Sequence, residues 1–359
     1  MQNIVNWFRR QLNNPQIIIL AVILLVFFAL IIFAGNLMAP VIASIVIAYI
    51  LEGAVKMFEV VKVPRLGAVL IVLGCFVILC FALIFGILPL VSAQALQLAS
   101  QIPSWIADVQ TALLQLPERY PDIISETQVR NFISTTAQFA TQLGQEILVA
   151  WSASSVTGII SVVIYVILVP IMVFFFLKDK TKITGWFVNY LPDKDHGLTT
   201  TVWHNVNRQM SNYIRGKFWE ILIVGTVTYV TFSIFGLQYA ALLSVIVGLS
   251  VLIPFVGAAV VTIPVIAVAA VQWGFSPEFV YLVLAYLVIQ ILDGNVLVPL
   301  IFSEVNDLHP VAIVIAVIVF GGFWGVWGVF FAIPLATLVQ AVLIAWPRSD
   351  LEFEAIEKK

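Results

Sequence analysis

Residues 238–272 read QYAALLSVIVGLSVLIPFVGAAVVTIPVIAVAAVQ, without one charged side chain. As a single helix they would run about 52 Å, well beyond about 30 Å of hydrocarbon. The stretch is punctuated at its middle by Ile253-Pro254-Phe255-Val256-Gly257. Each arm is then about 21–24 Å of helix, too short to cross comfortably. Irregular backbone at membrane depth is tolerated only against protein or water. The pattern predicts a re-entrant helical hairpin whose tip faces a cavity.

Downstream the same theme recurs. Residues 278–300 are a span that contains Asp293-Gly294-Asn295 and ends at Pro299. A polar connection follows over 301–310. Residues 311–345 are a second broken stretch, interrupted at Gly321-Gly322-Phe323-Trp324-Gly325-Val326-Trp327-Gly328, with Pro334 beyond. Glycine this dense in lipid either breaks a helix or lets two helices touch. A second hairpin is expected there.

Upstream lie the simpler spans. Residues 17–34, 36–51, 66–91, 156–177 and 218–237 are apolar runs, the second with Pro40 near its start and the fourth with Pro170 late. Composition agrees. Hydrophobic residues make up 62% of the 359 and charged residues 10%, against about 25% charged in a soluble domain. The expected fold is an all-α polytopic membrane protein. It has about six full transmembrane helices, two re-entrant or broken hairpins and a small extracytoplasmic helical insert.

Lys and Arg set the orientation. They occur in the N-terminal tail (Arg9, Arg10), in 52–65 (Lys56, Lys62, Arg65) and densely in 178–217. Only Arg119 and Arg130 lie in 92–152, so that segment is expected outside and the others in the cytoplasm. Pro103 suits the first turn of a helix in the insert. LPERYPD at 116–122 reads as a turn, and Ser125 with Gln128 as a capping box. Pro192 and the 193–197 cluster divide the cytoplasmic segment, whose second helix, about 198–217, feeds the fifth span. Alternate crossing then leaves the C-terminus, with Arg348, Lys358 and Lys359, inside. The resulting boundaries are 1–91 for three N-terminal helices, 92–152 for the insert, 153–177 for the fourth helix and 178–217 for the cytoplasmic segment. A transport core over 218–347 carries hairpins at about 238–272 and 311–345, and 348–359 is a tail.

Two broken segments flanking a span with a carboxylate form a transporter signature. An intramembrane carboxylate is costly and therefore a functional candidate. Asp293 is the ionisable residue well inside that span. Asn295 and Gln290 stand near it with uncharged donors and acceptors. Pro254 and Gly257 mark the first tip, and His309 precedes Pro310 at the mouth of the second hairpin. These six are the candidate substrate-binding residues. Gly294, Pro299, Gly321, Gly322, Gly325, Gly328 and Pro334 are the candidate hairpin and gating residues. Glu220 lies three residues after Lys217, and local pairing accounts for it.

IPFVG at 253–257, DGNVLVP at 293–299, LHP at 308–310, GGFWGVWG at 321–328 and AIP at 332–334 resemble the signature of the autoinducer-2 exporter family, a group of bacterial permeases. The likeness covers most of the chain. It implies homo-oligomers, pentamers in some members, and hairpins that bind substrate and move in an elevator-like way. It also implies a small solute such as autoinducer-2, a neutral hydroxylated furanone, or monovalent cation/proton antiport. Asp307, Ala258 and Lys217 depart from the pattern, Lys217 standing where Gln is common.

Other classes fare worse. Net charge is −2 with no basic stripe, so nucleic acid is not an expected partner. No GxxxxGK[ST], HExxH or GxSxG occurs. No enzyme activity, catalytic residue, metal site or cofactor is expected. Cys75 and Cys80 fall on different faces of one helix and are not expected to pair. From Phe218 to Pro347 there is no Lys or Arg. A cationic clamp on an anion is thus absent from the core, which leaves neutral polyols or cations. The expected partners are the lipid bilayer, a small-molecule or ion substrate and further copies of the chain. The expected location is the bacterial inner membrane with both termini cytoplasmic. A membrane assembly protein without transport is the remaining alternative.

Overall fold

The computed structural model describes residues 15–114, 156–189, 198–254, 256–302 and 308–345, with scattered positions between 127 and 146. The N-terminal arginines, the 116–122 turn, the Ser125–Gln128 box, Pro192 with 193–197 and the C-terminal charges lie outside the described residues. Every described element is helical. Six described helices are long and apolar enough to cross a membrane.

Helix α1 (Pro15–Val60) is one uninterrupted helix where two spans were expected. Gly35 and Asn36 do not break it, because lipid offers the backbone no competing partner. Pro40 stays inside the helix, and its carbonyl accepts the Ser44 hydroxyl at 2.6 Å. At about 1.5 Å per residue α1 is about 69 Å long. One rod replaces two crossings, so counting crossings no longer assigns the side of the N-terminus.

Helix α2 (Arg65–Ala82) continues through a wide turn at Leu83–Ile87 into α3 (Leu88–Leu114). The helix thus passes both the expected membrane boundary at 91 and Pro103, which starts nothing. Proline removes one backbone donor and crowds the carbonyl four residues back. That carbonyl belongs to Ala99, and Gly144 of the insert packs beside it. A Cβ on Gly144 would lie 3.6 Å from the Ala99 oxygen and 3.5 Å from Ile102. Cys75 and Cys80 are free thiols.

Helix α4 (Val156–Lys178) is followed by α5 (Lys180–Asn189). Helices α1, α2 and α4 share one apolar cluster around Val55, Val69 and Val173. At one end of it, Arg65 donates to Glu59 at 2.9 Å, to Glu52 at 3.2 Å and to the Leu177 carbonyl at 2.5 Å. Lys180 meets the other Glu52 oxygen at 2.9 Å. The two Lys/Arg-rich stretches expected on one membrane face do meet.

Helix α6 (Leu198–Phe235) joins the cytoplasmic helix to the fifth span without a break, as expected. It stops at Gly236, whose φ of +70° is a left-handed C-terminal cap. Helices α7 (Ala240–Ser250) and α8 (Val256–Trp273) follow, separated by the expected interruption. Gln94 of α3 accepts the free Leu242 N–H at 2.9 Å, and Gln101 accepts the Tyr239 hydroxyl at 2.7 Å. The insert helix thereby caps the start of α7. Helix α9 (Pro277–Leu292), a wide turn at Asp293–Leu297 and α10 (Val298–Phe302) make one rod. Pro299 therefore does not end the span. Helix α11 (Pro310–Ala345) is broken at Gly325 (φ 59°, ψ −136°).

The C-terminal half has two apolar clusters. One gathers α3 and α6–α9 around Phe232, Leu243, Val265 and Tyr286. The other gathers α6, α10 and α11 around Tyr213, Ile214 and Phe302. Helix α6 belongs to both, which puts it at the centre of the candidate core.

Candidate functional site

The wide turn in the α9 rod follows from Pro299. In a regular helix its ring would crowd the Asn295 carbonyl. Instead the Val298 N–H reaches back five residues to the Asp293 carbonyl. Such widened turns recur at functional positions in helices. Asn295, which is exposed, uses its amide to donate to the Ile291 carbonyl at 2.9 Å. Gly294 and Pro299 are exposed as well. Asp293 is half-buried, and its Oδ1 is sealed from solvent without a hydrogen-bond partner.

Gln290 turns to a different neighbour. Its amide donates to the Tyr286 hydroxyl at 2.6 Å. Tyr286 lies 3.1 Å from the Thr262 hydroxyl, which donates to the Ala258 carbonyl at 2.7 Å. Each oxygen in this chain finds a partner if Tyr286 donates to Thr262. The chain ties α9 to α8 through a tyrosine with no exposed surface.

The first interruption requires its glycine. A Cβ on Gly257 would lie 1.8 Å from the Ser250 carbonyl oxygen. Pro254 sits in the turn itself, half-buried. In α11, a Cβ on Gly328 would lie 1.8 Å from the Phe320 oxygen, and one on Gly321 would lie 2.8 Å from Val329 Cγ2. Residues eight apart in an unbroken helix are about 12 Å apart along the axis. The chain therefore doubles back around Gly325. Gly322 faces open space. Pro334 is buried in the second arm. His309 is exposed, and its Nδ1 accepts the Val311 N–H at 3.2 Å, which makes it the N-cap of α11.

What joins these pieces is a face of α6 that sequence reasoning passed over. Lys217 is 5% exposed and Glu220 is 2% exposed. The Lys217 ammonium lies 2.7 Å from Glu220 Oε2, so the expected local pair forms. The ammonium also donates to the Val251 carbonyl at 2.8 Å and sits 5.2 Å from the centre of the Phe302 ring. Val251 lies at the end of α7, where helical carbonyls lose their partners. One turn earlier, the Tyr213 hydroxyl donates to the Phe330 carbonyl at 3.0 Å. Pro334 leaves that carbonyl without its helical donor. Tyr213 and Lys217, four apart on one face, thus each serve a carbonyl left without its helical donor, one by Pro334 and one by the end of α7. Gly216 between them lets Phe302 approach, since a Cβ there would lie 2.6 Å from its ring.

The charges of Lys217, Glu220 and Asp293 act on one another. The core thus holds a cation after all, one residue before the stretch that lacks Lys and Arg. In the sequence it closes a basic segment and so counts among the residues that set orientation. Its i,i+3 acid and the preceding glycine were the available signals. The ammonium is already neutralised by Glu220, so it offers no free clamp for an anion. Among the described residues no group of His, Cys, Asp and Glu is arranged to hold a metal.

Comparison with known proteins follows the same lines. The model of the AI-2E family transporters matches residues 20–348. PerM of Escherichia coli (strain K12), provisionally named a permease, is 41% identical over 354 residues, 99% of this chain and 100% of PerM. YueF of Bacillus subtilis (strain 168), provisionally named a transport protein, is 25% identical over 89% of this chain and 86% of its own. TqsA of Escherichia coli (strain K12), named an AI-2 transport protein, is 24% identical over 92% of each chain. With matches that run nearly end to end, this multi-pass membrane protein belongs to the AI-2E transporter family.

Proposed function

We propose that this chain moves a small polar solute across a bacterial inner membrane, with Asp293 in contact with the solute. The observation that carries the reading is the buried, unpartnered Asp293 Oδ1 on a widened turn of an apolar rod. A sealed carboxylate oxygen needs a donor or a cation, and a hydroxyl-rich solute supplies the donor. Autoinducer-2 or a similar neutral hydroxylated molecule fits that need. The name of TqsA is in keeping with it. The absence of a free cationic clamp argues against anions.

In this reading the two folded-back segments are re-entrant hairpins. They move with the α9 rod against α1, α2 and α4, in an elevator-like exchange. The chain works as a homo-oligomer, with 52–65, 178–217 and the C-terminus in the cytoplasm. Monovalent cation/proton antiport is the second reading. It is favoured by the same oxygen, which takes a proton or an ion as readily as a hydroxyl.

The test uses proteoliposomes of the purified protein. Autoinducer-2 movement is followed with and without sodium or pH gradients, beside Asp293→Asn. Flux in the parent and its loss in the variant is the expected result. Sodium-dependent proton movement without autoinducer-2 flux would establish the antiporter instead. Neither activity would sink both readings. A cross-link between α1 and α11, which pack together, should stop flux; full flux through a complete lock would end the elevator proposal.

A further inference from the structure

The Lys217 ammonium is surrounded as a free cation would be. A carboxylate oxygen lies at 2.7 Å, a backbone carbonyl oxygen at 2.8 Å and an aromatic face at 5.2 Å. Oxygens are the ligands that hard cations take, and an aromatic face attracts positive charge. Lys217 and Glu220 are both almost wholly buried and neutralise one another. Without the ammonium a buried carboxylate would stand alone, with no Lys or Arg from Phe218 to Pro347 to offset it. Uncompensated buried charge is strongly destabilising. The carbonyl is also not an incidental partner, since Val251 ends α7 at the first interruption.

We propose that Lys217 is a tethered cation that fills a monovalent-cation site built by Glu220, the Val251 carbonyl and the Phe302 ring. The site joins α6 to the turn between α7 and α8. In this chain the ammonium holds that turn without any soluble ion. Removing the side chain leaves a cavity lined by a carboxylate, a carbonyl and a ring, which suits sodium, potassium or lithium. The site does not rest on the reading of Asp293 given above, and its test reads no flux.

The experiment is thermal unfolding of the purified full-length protein, followed by tryptophan fluorescence. Sodium, potassium and lithium chloride are each compared with choline chloride at equal ionic strength. The parent should show no difference among the salts. Lys217→Ala should show a saturable rise in Tm of about 4 °C in at least one alkali salt over choline, the mark of a ligand that binds the folded state. Lys217→Ala with Glu220→Gln should lose that response. Equal Tm in all four salts for Lys217→Ala would overturn the proposal, and so would a response that survives Glu220→Gln. If Lys217→Ala folds only when prepared in an alkali salt, the proposal stands. If it folds in none while the double variant folds in all, an ion cannot replace the ammonium and the proposal fails. Cation binding in a protein with no solute flux would leave this inference in place and remove the transport reading.

Discussion

The rod that starts at Arg65 and the rod that starts at Pro277 each contain one widened turn, and the two turns are built alike. Leu83–Ile87 reads LIFGI and is followed by Leu88-Pro89; Asp293–Leu297 reads DGNVL and is followed by Val298-Pro299. In both, the residue before proline reaches back five positions for its hydrogen bond. In both, the glycine of the turn faces open space, Gly86 in one and Gly294 in the other. The occupants differ. Leu83, Ile84, Phe85 and Ile87 are all exposed, as lipid-facing residues are, and none is polar. Asp293 and Asn295 stand in the second turn, with Gln290 where the first rod has Cys80. The widened turn thus accompanies proline in both rods, and alone it says nothing about function. What singles out the second turn is the carboxylate placed on it beside the Lys217–Glu220 pair.

The largest expected effect separates the two turns directly. Asp293→Asn should lower solute flux by about tenfold or more, about 1.4 kcal/mol or more of lost stabilisation. Phe85→Leu, at the matching turn, should leave flux within about twofold, as exposed substitutions usually do. Equal losses in proteoliposome flux would show that the turns matter as hinges and that the carboxylate is incidental.

The next effect is on stability, and it sets the turns against the chain reversals. Gly257→Ala and Gly328→Ala force a methyl group to within bonding range of a carbonyl oxygen. Each should cost about 1–3 kcal/mol or prevent folding, as overpacking does. Gly86→Ala and Gly294→Ala meet open space and should stay within about 0.5 kcal/mol. Unfolding temperatures of the four purified variants decide the matter. Indifference at Gly257 or Gly328 would mean that the reversal there is looser than drawn.

Much of this was legible in the sequence, for a physical reason. Backbone that turns inside lipid needs proline or glycine, so Pro254, Gly257 and the 321–328 cluster marked both interruptions. Length and hydropathy marked the apolar helices, though not that 17–34 and 36–51 are one. Two prolines misled in the opposite way. Pro103 and Pro299 both read as helix boundaries, yet Gly144 shelters one site and a widened turn accommodates the other. Lys217 was illegible for another reason. Its carbonyl partner is 34 residues away at Val251, and a lysine at the edge of a basic segment reads as a headgroup contact. The departure from the family's usual residue at 217, the i,i+3 acid and the preceding glycine were the local signs.

The smallest expected effect asks what the proline contributes to the second turn beyond the bend. Pro299→Ala restores a backbone donor and removes the ring that crowds the Asn295 carbonyl. The turn is then free to relax to ordinary i→i+4 bonding. Dropping one residue from it rotates the chain on one side relative to the other by about 100°. Phe302 lies on the far side and is seated against Gly216, while Asp293 lies on the near side. That packing resists the rotation, so only part of the ensemble relaxes. Flux should fall by about threefold, less than 1 kcal/mol. Pro89→Ala carries no carboxylate with it and should leave flux unchanged. Should Pro299→Ala match the loss of Asp293→Asn, the turn would be the element that holds Asp293 in place. Should it match Pro89→Ala, the seat of Phe302 on α6 holds the geometry and the proline serves only to bend the rod.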